Sequence, residues 1–111
     1  MNVYDTANRL AGEIKSSEEY LNYKMAKEAL NLNKNLKEKM EEFEKLRYTV
    51  QLEMMQTGKN NEEKYKEMQE KYAELVENEE AKRYFEAETK FNILVADVNK
   101  IIGEAIRDVM Q

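Results

Sequence analysis

The chain has 111 residues, with no cysteine, no histidine and no proline, and its net charge is −5. The missing side chains exclude disulfides, cysteine-ligated zinc, iron–sulfur clusters and a histidine general base. The acidic balance has no basic block, so the electrostatic footprint of a nucleic-acid-binding protein is absent. The length corresponds to one domain, and we expect residues 1–111 to form a single helical unit.

The composition favours helices. Charged residues make up 37% and hydrophobic residues 41% of the chain, and there are only three glycines. Apolar residues recur in steps of three and four, which favours packed helices over disorder. No apolar run approaches the roughly 18 residues of a membrane-spanning helix, and the N-terminus lacks a signal-peptide layout. We therefore expect a soluble cytoplasmic protein without a membrane partner.

Two short helices are predicted first. Helix one runs from about Tyr4 to Lys15, and its apolar stripe consists of Tyr4, Ala7, Leu10, Ala11 and Ile14. Ser16 together with Glu19 fits a capping box and predicts the start of helix two. Helix two ends within residues 31–33, because asparagine competes with the helix for backbone hydrogen bonds and caps the next one.

A helical hairpin is predicted next. Its first helix runs from about Lys34 to Gln56, with a heptad-like stripe of Leu36, Met40, Phe43, Leu46 or Arg47, Val50 and Met54. Residues 57–61 form a turn, in which Gly58 can adopt the left-handed conformation that ends a helix. The second helix runs from about Glu62 to Glu77 and directs inward Tyr65, Met68, Tyr72, Leu75 and Val76. The short connection predicts antiparallel packing.

The last predicted helix runs from Glu79 to Met110, capped by Asn78, and is about 48 Å long. Its apolar stripe is our predicted oligomer or partner interface and consists of Phe91, Leu94, Val95, Val98, Ile101, Ile102, Ile106 and Val109. A compact globule of this chain length is about 35 Å across, so the helix either bends, for example at Gly103, or overhangs. An overhanging apolar stripe would indicate contact with another chain. The predicted fold is an all-α antiparallel bundle of about five helices.

No catalytic, metal-binding or cofactor-binding residues are predicted. Capping explains Ser16 and Ser17 better than nucleophilic catalysis, since no histidine is present to activate them. The glutamates follow the outer helix faces, and no calcium loop is present. The methionines fall at core spacing, and an adaptable groove for a partner helix is the alternative to simple packing.

Three stretches resemble the YlbF/YmcA/YheA family of small helical bacterial proteins. They are YDTANRL at residues 4–10 with IKSSEEY at 14–20, the segment Leu36–Phe43, and AETKFNIL at 87–94 continuing through Ile102. The resemblance implies an all-helical, self-associating regulator. Members related to YlbF and YmcA act as adaptors in a complex that affects RNase Y-dependent mRNA processing, competence, sporulation and biofilm formation.

The resemblance does not imply a cofactor for this chain. Some family members hold iron–sulfur clusters through cysteines, and this chain has none. That difference places it nearest the cysteine-free, YheA-like branch of the family.

Two functional hypotheses follow. The leading one is a non-enzymatic regulatory adaptor that forms a homo-oligomer, with a dimer as the first expectation, and docks a protein partner. The alternative is a direct RNA-binding regulator of RNA processing, motivated only by the family's link to RNA. An enzyme is disfavoured because no nucleophile–base pair is present.

Overall fold

The computed structural model describes residues 2–111, which form five α-helices and no strand. This confirms the predicted all-α class and the long C-terminal helix. The helices are α1 (Val3–Lys15), α2 (Glu18–Asn31), α3 (Lys34–Thr57), α4 (Glu62–Leu75) and α5 (Glu79–Met110).

Polar side chains mark every helix start. In each helix a capping side-chain oxygen accepts a hydrogen bond from a backbone N–H of the first turn, and the caps are Asn2, Ser17, Asn33, Asn61 and Asn78. The predicted cap at Ser16 is wrong. Ser17 has the extended backbone of a cap and accepts from the Tyr20 N–H at 3.1 Å, whereas Ser16 keeps a helical backbone and closes α1. Because Ser16 is not the cap, Glu19 does not make the reciprocal side-chain hydrogen bond to the Ser16 N–H that the predicted capping box requires.

Helices α3 and α4 form the predicted antiparallel hairpin. Gly58 ends α3 with a φ of +73°, the left-handed conformation that only glycine adopts without strain. Three ion pairs cross the hairpin from the turn to its open end: Glu53–Lys64 at 2.6 Å, Glu42–Lys71 at 3.8 Å and Lys39–Glu74 at 3.5 Å. Along these three pairs the residue number in α3 falls as the residue number in α4 rises, so the two helices run antiparallel.

Helix α4 is shorter than predicted. It ends at Leu75 rather than Glu77, because the chain tightens into a turn in which the Asn78 N–H donates to the Leu75 carbonyl at 3.0 Å. The Asn78 side chain then caps α5 by accepting from the N–H groups of Glu80 and Ala81.

Helix α2 packs antiparallel against the first half of α5. The Tyr20 ring lies 6.0 Å from the Phe91 ring, and the Tyr23 ring lies 5.5 Å from both Phe91 and Tyr84, centroid to centroid. Residues later in α2 thus contact residues earlier in α5. These edge-on and tilted aromatic pairs contribute about 0.5–1.5 kcal/mol each beyond their buried area.

The hydrophobic core lies where the α2–α5 pair meets the open end of the α3–α4 hairpin. This core cluster consists of Leu30, Leu36, Met40, Phe43, Leu75, Ala81, Tyr84 and Phe85. Two residues predicted to point inward are exposed instead: Met54 (44%) and Tyr65 (38%). Two helices alone cannot enclose both sides of their shared seam, so side chains of the hairpin away from the core cluster stay open to water. Tyr72 does point inward, because its ring centroid lies 4.8 Å from that of Phe85 and 6.0 Å from that of Phe43, although 44% of its surface remains exposed.

Candidate protein-interaction surface

The structure divides the apolar stripe of α5 into a covered half and an uncovered half. Its first four members are half-buried: Phe91, Leu94, Val95 and Val98. Its last four members are exposed: Ile101 (68%), Ile102 (49%), Ile106 (45%) and Val109 (80%). Every residue from 99 to 110 is exposed, and we call this segment the α5 tail.

The α5 tail overhangs the rest of the molecule. Helix α5 runs unbroken through Gly103 to Met110. The Cα positions span 49 × 36 × 16 Å with a radius of gyration of 17.5 Å, against about 13 Å for a compact domain of this length. Of the two expected outcomes, the structure shows the overhang rather than a bend at Gly103. A contiguous apolar face left in water is the kind of surface that marks protein contacts.

Helix α1 carries a second apolar face that is largely uncovered. The sequence pattern predicted this face but not its exposure. Its stripe is as regular as predicted, yet α1 contains no buried residue. Leu10 and Ile14 are half-buried, whereas Val3 and Tyr4 expose 78% and 79% of their surface. Periodicity shows that a helix has an apolar face, but it does not show whether its own chain covers that face.

A polar cluster fixes α3 to α5 beside the core. Arg47 Nη1 donates to Glu88 Oε1 at 2.9 Å, and Nη2 donates to Glu88 Oε2 at 3.1 Å. Arg47 also pairs with Glu44 on its own helix, and its guanidinium lies 5.4 Å from the centre of the Phe43 ring. A forked, doubly bonded arginine–carboxylate pair fixes both distance and orientation. We call Tyr23, Glu44, Arg47, Tyr84 and Glu88 the Arg47 cluster.

Helix α2 joins the same cluster through a tyrosine. The Tyr23 hydroxyl donates to Glu88 Oε2 at 3.3 Å and lies 3.4 Å from the Tyr84 hydroxyl. Burial raises the pKa of both tyrosines, because a phenolate would lose its hydration there. The hydrogen bonds from Arg47 to Glu88 raise the pKa of Arg47, which stays charged. The cluster therefore holds two neutral phenols and a fixed cation between carboxylates.

The sequence left open whether Leu46 or Arg47 occupies the α3 stripe; both are half-buried in the structure, and Arg47 is held there as a paired charge. A charged residue at a stripe position was the available signal. Glu88 lies 41 residues further along the chain, so no local pattern identified it as the partner.

The concave surfaces of the molecule are open and mixed in charge. One of them, about 610 Å³, is lined by the five residues of the Arg47 cluster together with further lysines and a glutamate, among them Lys27, Lys45 and Glu41. Among residues 2–111, no group of three or more carboxylates converges to hold a metal ion. No helix in that range is both long and apolar enough to cross a membrane.

A comparison with known protein families identifies the family of this chain. The family model described as "Control of competence regulator ComK, YlbF/YmcA" matches residues 3–107 of this chain, nearly its whole length. The chain belongs to the YlbF/YmcA family. The resemblance inferred from the sequence is thereby confirmed.

Relatives of the YlbF/YmcA chain in other bacteria carry the name UPF0342 protein. The one from Desulfitobacterium hafniense is 34% identical over 110 residues, covering 99% of this chain and 89% of the relative. The one from Clostridium novyi is 32% identical over 108 residues, covering 97% and 95%. The one from Halothermothrix orenii is 34% identical over 103 residues, covering 92% and 86%. The similarity is therefore end to end, and the family description is regulatory rather than catalytic.

Proposed function

We propose that this chain is a regulatory adaptor without catalytic activity, and that it acts as a homo-oligomer, with a dimer as the simplest form. The observation that carries the proposal is the uncovered face of the α5 tail. This face continues the stripe that α2 contacts at Phe91, so its residues already have the pattern of a helix-packing surface.

The size of the exposed face supports association. Fully burying a valine or isoleucine side chain contributes about 1.5–3 kcal/mol. Covering the exposed parts of four such side chains on each of two copies would contribute on the order of 10 kcal/mol before the costs of association. A micromolar complex has a net binding free energy of about 8 kcal/mol. The tail alone therefore supports weak association, and a stable dimer needs additional surface.

The regulatory target is proposed from family membership. Family members related to YlbF and YmcA affect RNase Y-dependent mRNA processing. We therefore propose that this chain binds a protein of the same machinery. The acidic net charge of −5 favours a protein over an RNA as the direct contact.

Ile102→Asp tests self-association. Ile102 lies on the exposed stripe of the α5 tail. If that stripe packs against another chain, an aspartate at this position would be a buried charge without an oppositely charged neighbour, which weakens the contact. We expect the molar mass measured by light scattering to fall toward 13.2 kDa. The matched control is Lys100→Asp, which changes charge more but lies about 200° away around the helix. A wild-type chain that is monomeric at high concentration would overturn the proposal, as would equal effects of the two variants.

A further inference from the structure

The concave surface at the Arg47 cluster is a groove between α2 and α3. One wall consists of α2 residues between 23 and 31, the other of α3 residues between 37 and 47, and the buried Tyr84 and Glu88 of α5 lie at its floor. Its volume of about 610 Å³ falls within the range of about 300–1,000 Å³ that is typical of ligand sites. We call it the α2–α3 groove. The α5 tail, on which the proposed self-association depends, does not line it.

The α2–α3 groove carries charges that the fold leaves unpaired. Its lining contains four cations and three carboxylates, and two of the carboxylates, Glu44 and Glu88, pair with Arg47. The other four charged groups take part in no ion pair within residues 2–111, and they are Lys27, Lys37, Lys45 and Glu41. Three lysines against one glutamate leave an excess of two positive charges, on a chain whose net charge is −5. This excess favours an acidic occupant.

The spacing of these charges along α3 defines a pattern. Lys37, Glu41 and Lys45 follow each other at intervals of four residues, or about 6 Å along the helix, and all three line the groove. In an extended peptide, side chains on one face repeat every two residues, or about 6.6 Å. Three alternate residues of an extended segment therefore match the three charges. The complementary order is acidic, basic, acidic, because an acid in the middle would lie opposite Glu41.

An extended peptide fits this groove better than a helix or a nucleic acid. A helix segment about 10 Å wide and 12 Å long occupies roughly 900 Å³, which exceeds the volume of the groove. A nucleic-acid strand carries a negative charge at every phosphate, so it offers no basic group to Glu41. A polypeptide is narrow when extended and can alternate the sign of its charges.

We propose that the α2–α3 groove binds an extended segment of a partner protein in which a basic residue lies between two acidic ones at alternate positions. Lys37 and Lys45 bind the two carboxylates, and Lys27 on the opposite wall attracts the same acidic groups. Glu41 selects the basic residue between them. This inference rests on the proposed adaptor function and names the chemistry of the partner segment.

Two synthetic peptides test the charge pattern. Both are blocked at their ends and consist of threonine, with glutamate, lysine and glutamate at three alternate positions in one peptide and three glutamates in the other. Each is titrated at low salt into isotopically labelled protein, and the amide chemical shifts are followed by NMR. We expect shifts confined to the two walls of the groove. We also expect the peptide with the central lysine to bind about two- to fivefold more tightly, the range for an exposed ion pair.

Variants of the lining residues test the assignment. In Glu41→Lys the preference should reverse, so that the peptide with three glutamates binds more tightly than the other. An unfolded variant could not produce this gain of affinity. Lys37→Gln should weaken binding of the peptide with the central lysine by about two- to fivefold. The matched control is Lys66→Gln, an exposed lysine of α4 outside the groove and without an ion pair, which should bind like wild type.

The outcomes separate this inference from the proposed self-association. The groove proposal is overturned by the absence of shifts at millimolar peptide, by shifts elsewhere, or by an unchanged preference in Glu41→Lys. Stronger shifts of the same amides by oligouridylate would assign the groove to nucleic acid and overturn it too. Light scattering on the same samples measures self-association independently. A dimer whose groove binds neither peptide overturns only the groove proposal, and a monomer that shows the expected preference upholds the groove and overturns self-association.

Discussion

Removing the arginine of the Arg47 cluster should destabilise the fold by an amount that can be worked out from the structure. Arg47→Met keeps the aliphatic part of the side chain but removes both hydrogen bonds to Glu88. The Glu88 side chain is only 13% exposed and that of Arg47 is 29% exposed. Breaking a fully buried pair costs about 3–5 kcal/mol, and breaking a surface pair about 0–1 kcal/mol. For this partly buried pair we expect roughly 2–3 kcal/mol.

The measurement is urea unfolding followed by circular dichroism at one fixed protein concentration, for Arg47→Met, Glu88→Gln and the double variant. Glutamine keeps an acceptor for the Tyr23 hydroxyl, so the cycle isolates the pair itself. We expect a coupling energy of about 1.5–3 kcal/mol, the range for hydrogen bonds to charged groups.

The matched control is Lys39→Met, which removes an ion pair to Glu74 whose side chains are 49% and 67% exposed. Its expected cost is below about 0.5 kcal/mol. If Arg47→Met is no more costly than Lys39→Met, or if the coupling energy is near zero, the cluster does not hold α3 against α5.

Three further outcomes are expected. Burial raises the pKa values of Tyr23 and Tyr84, so their contribution to the free energy of unfolding is fully present below a pH of about 10. At higher pH the tyrosines ionise first in the unfolded chain, and the free energy of unfolding falls by up to about 1.4 kcal/mol per pH unit for each group. Urea midpoints across that range should fall less steeply for Tyr23→Phe than for wild type, and Tyr48→Phe, at an exposed position, should match wild type. Gly58→Ala should lower stability by about 1–2 kcal/mol, because its φ is +73°; an unchanged melting temperature would contradict this. A gel shift with single-stranded RNA at low salt should show no complex, and binding with a steep salt dependence would instead support the RNA-binding alternative.

The helices could be predicted because their signals are local. Asn33, Gly58 and Asn78 cap or end helices through bonds to residues within four positions, and the spacing of apolar residues identified the apolar face of each helix, though not which faces are buried. The choice between Ser16 and Ser17 failed because the two neighbours have the same side chain. Only the backbone conformation, extended at Ser17 and helical at Ser16, distinguishes them.

The arrangement of the helices depends on contacts between distant parts of the chain. The sequence identified the α5 stripe, but not the point near Val98 beyond which no other helix covers it. That point depends on where α2 begins, at Glu18, because its Tyr20 contacts α5 at Phe91. The inward position of Arg47 likewise depends on Glu88, which only the packing of α3 against α5 brings near.

Helix α5 begins in the core and ends in water, and the rest of the chain covers its stripe only as far as Val98. The distance from Val98 to Val109 is about 17 Å at 1.5 Å per residue. A tilt of about 5° at Val98 would therefore move the far end by roughly 1.5 Å, by the geometry of a straight helix. A molecule bound to the far end would transmit its force first to the contact of α2 with Phe91, next to the core.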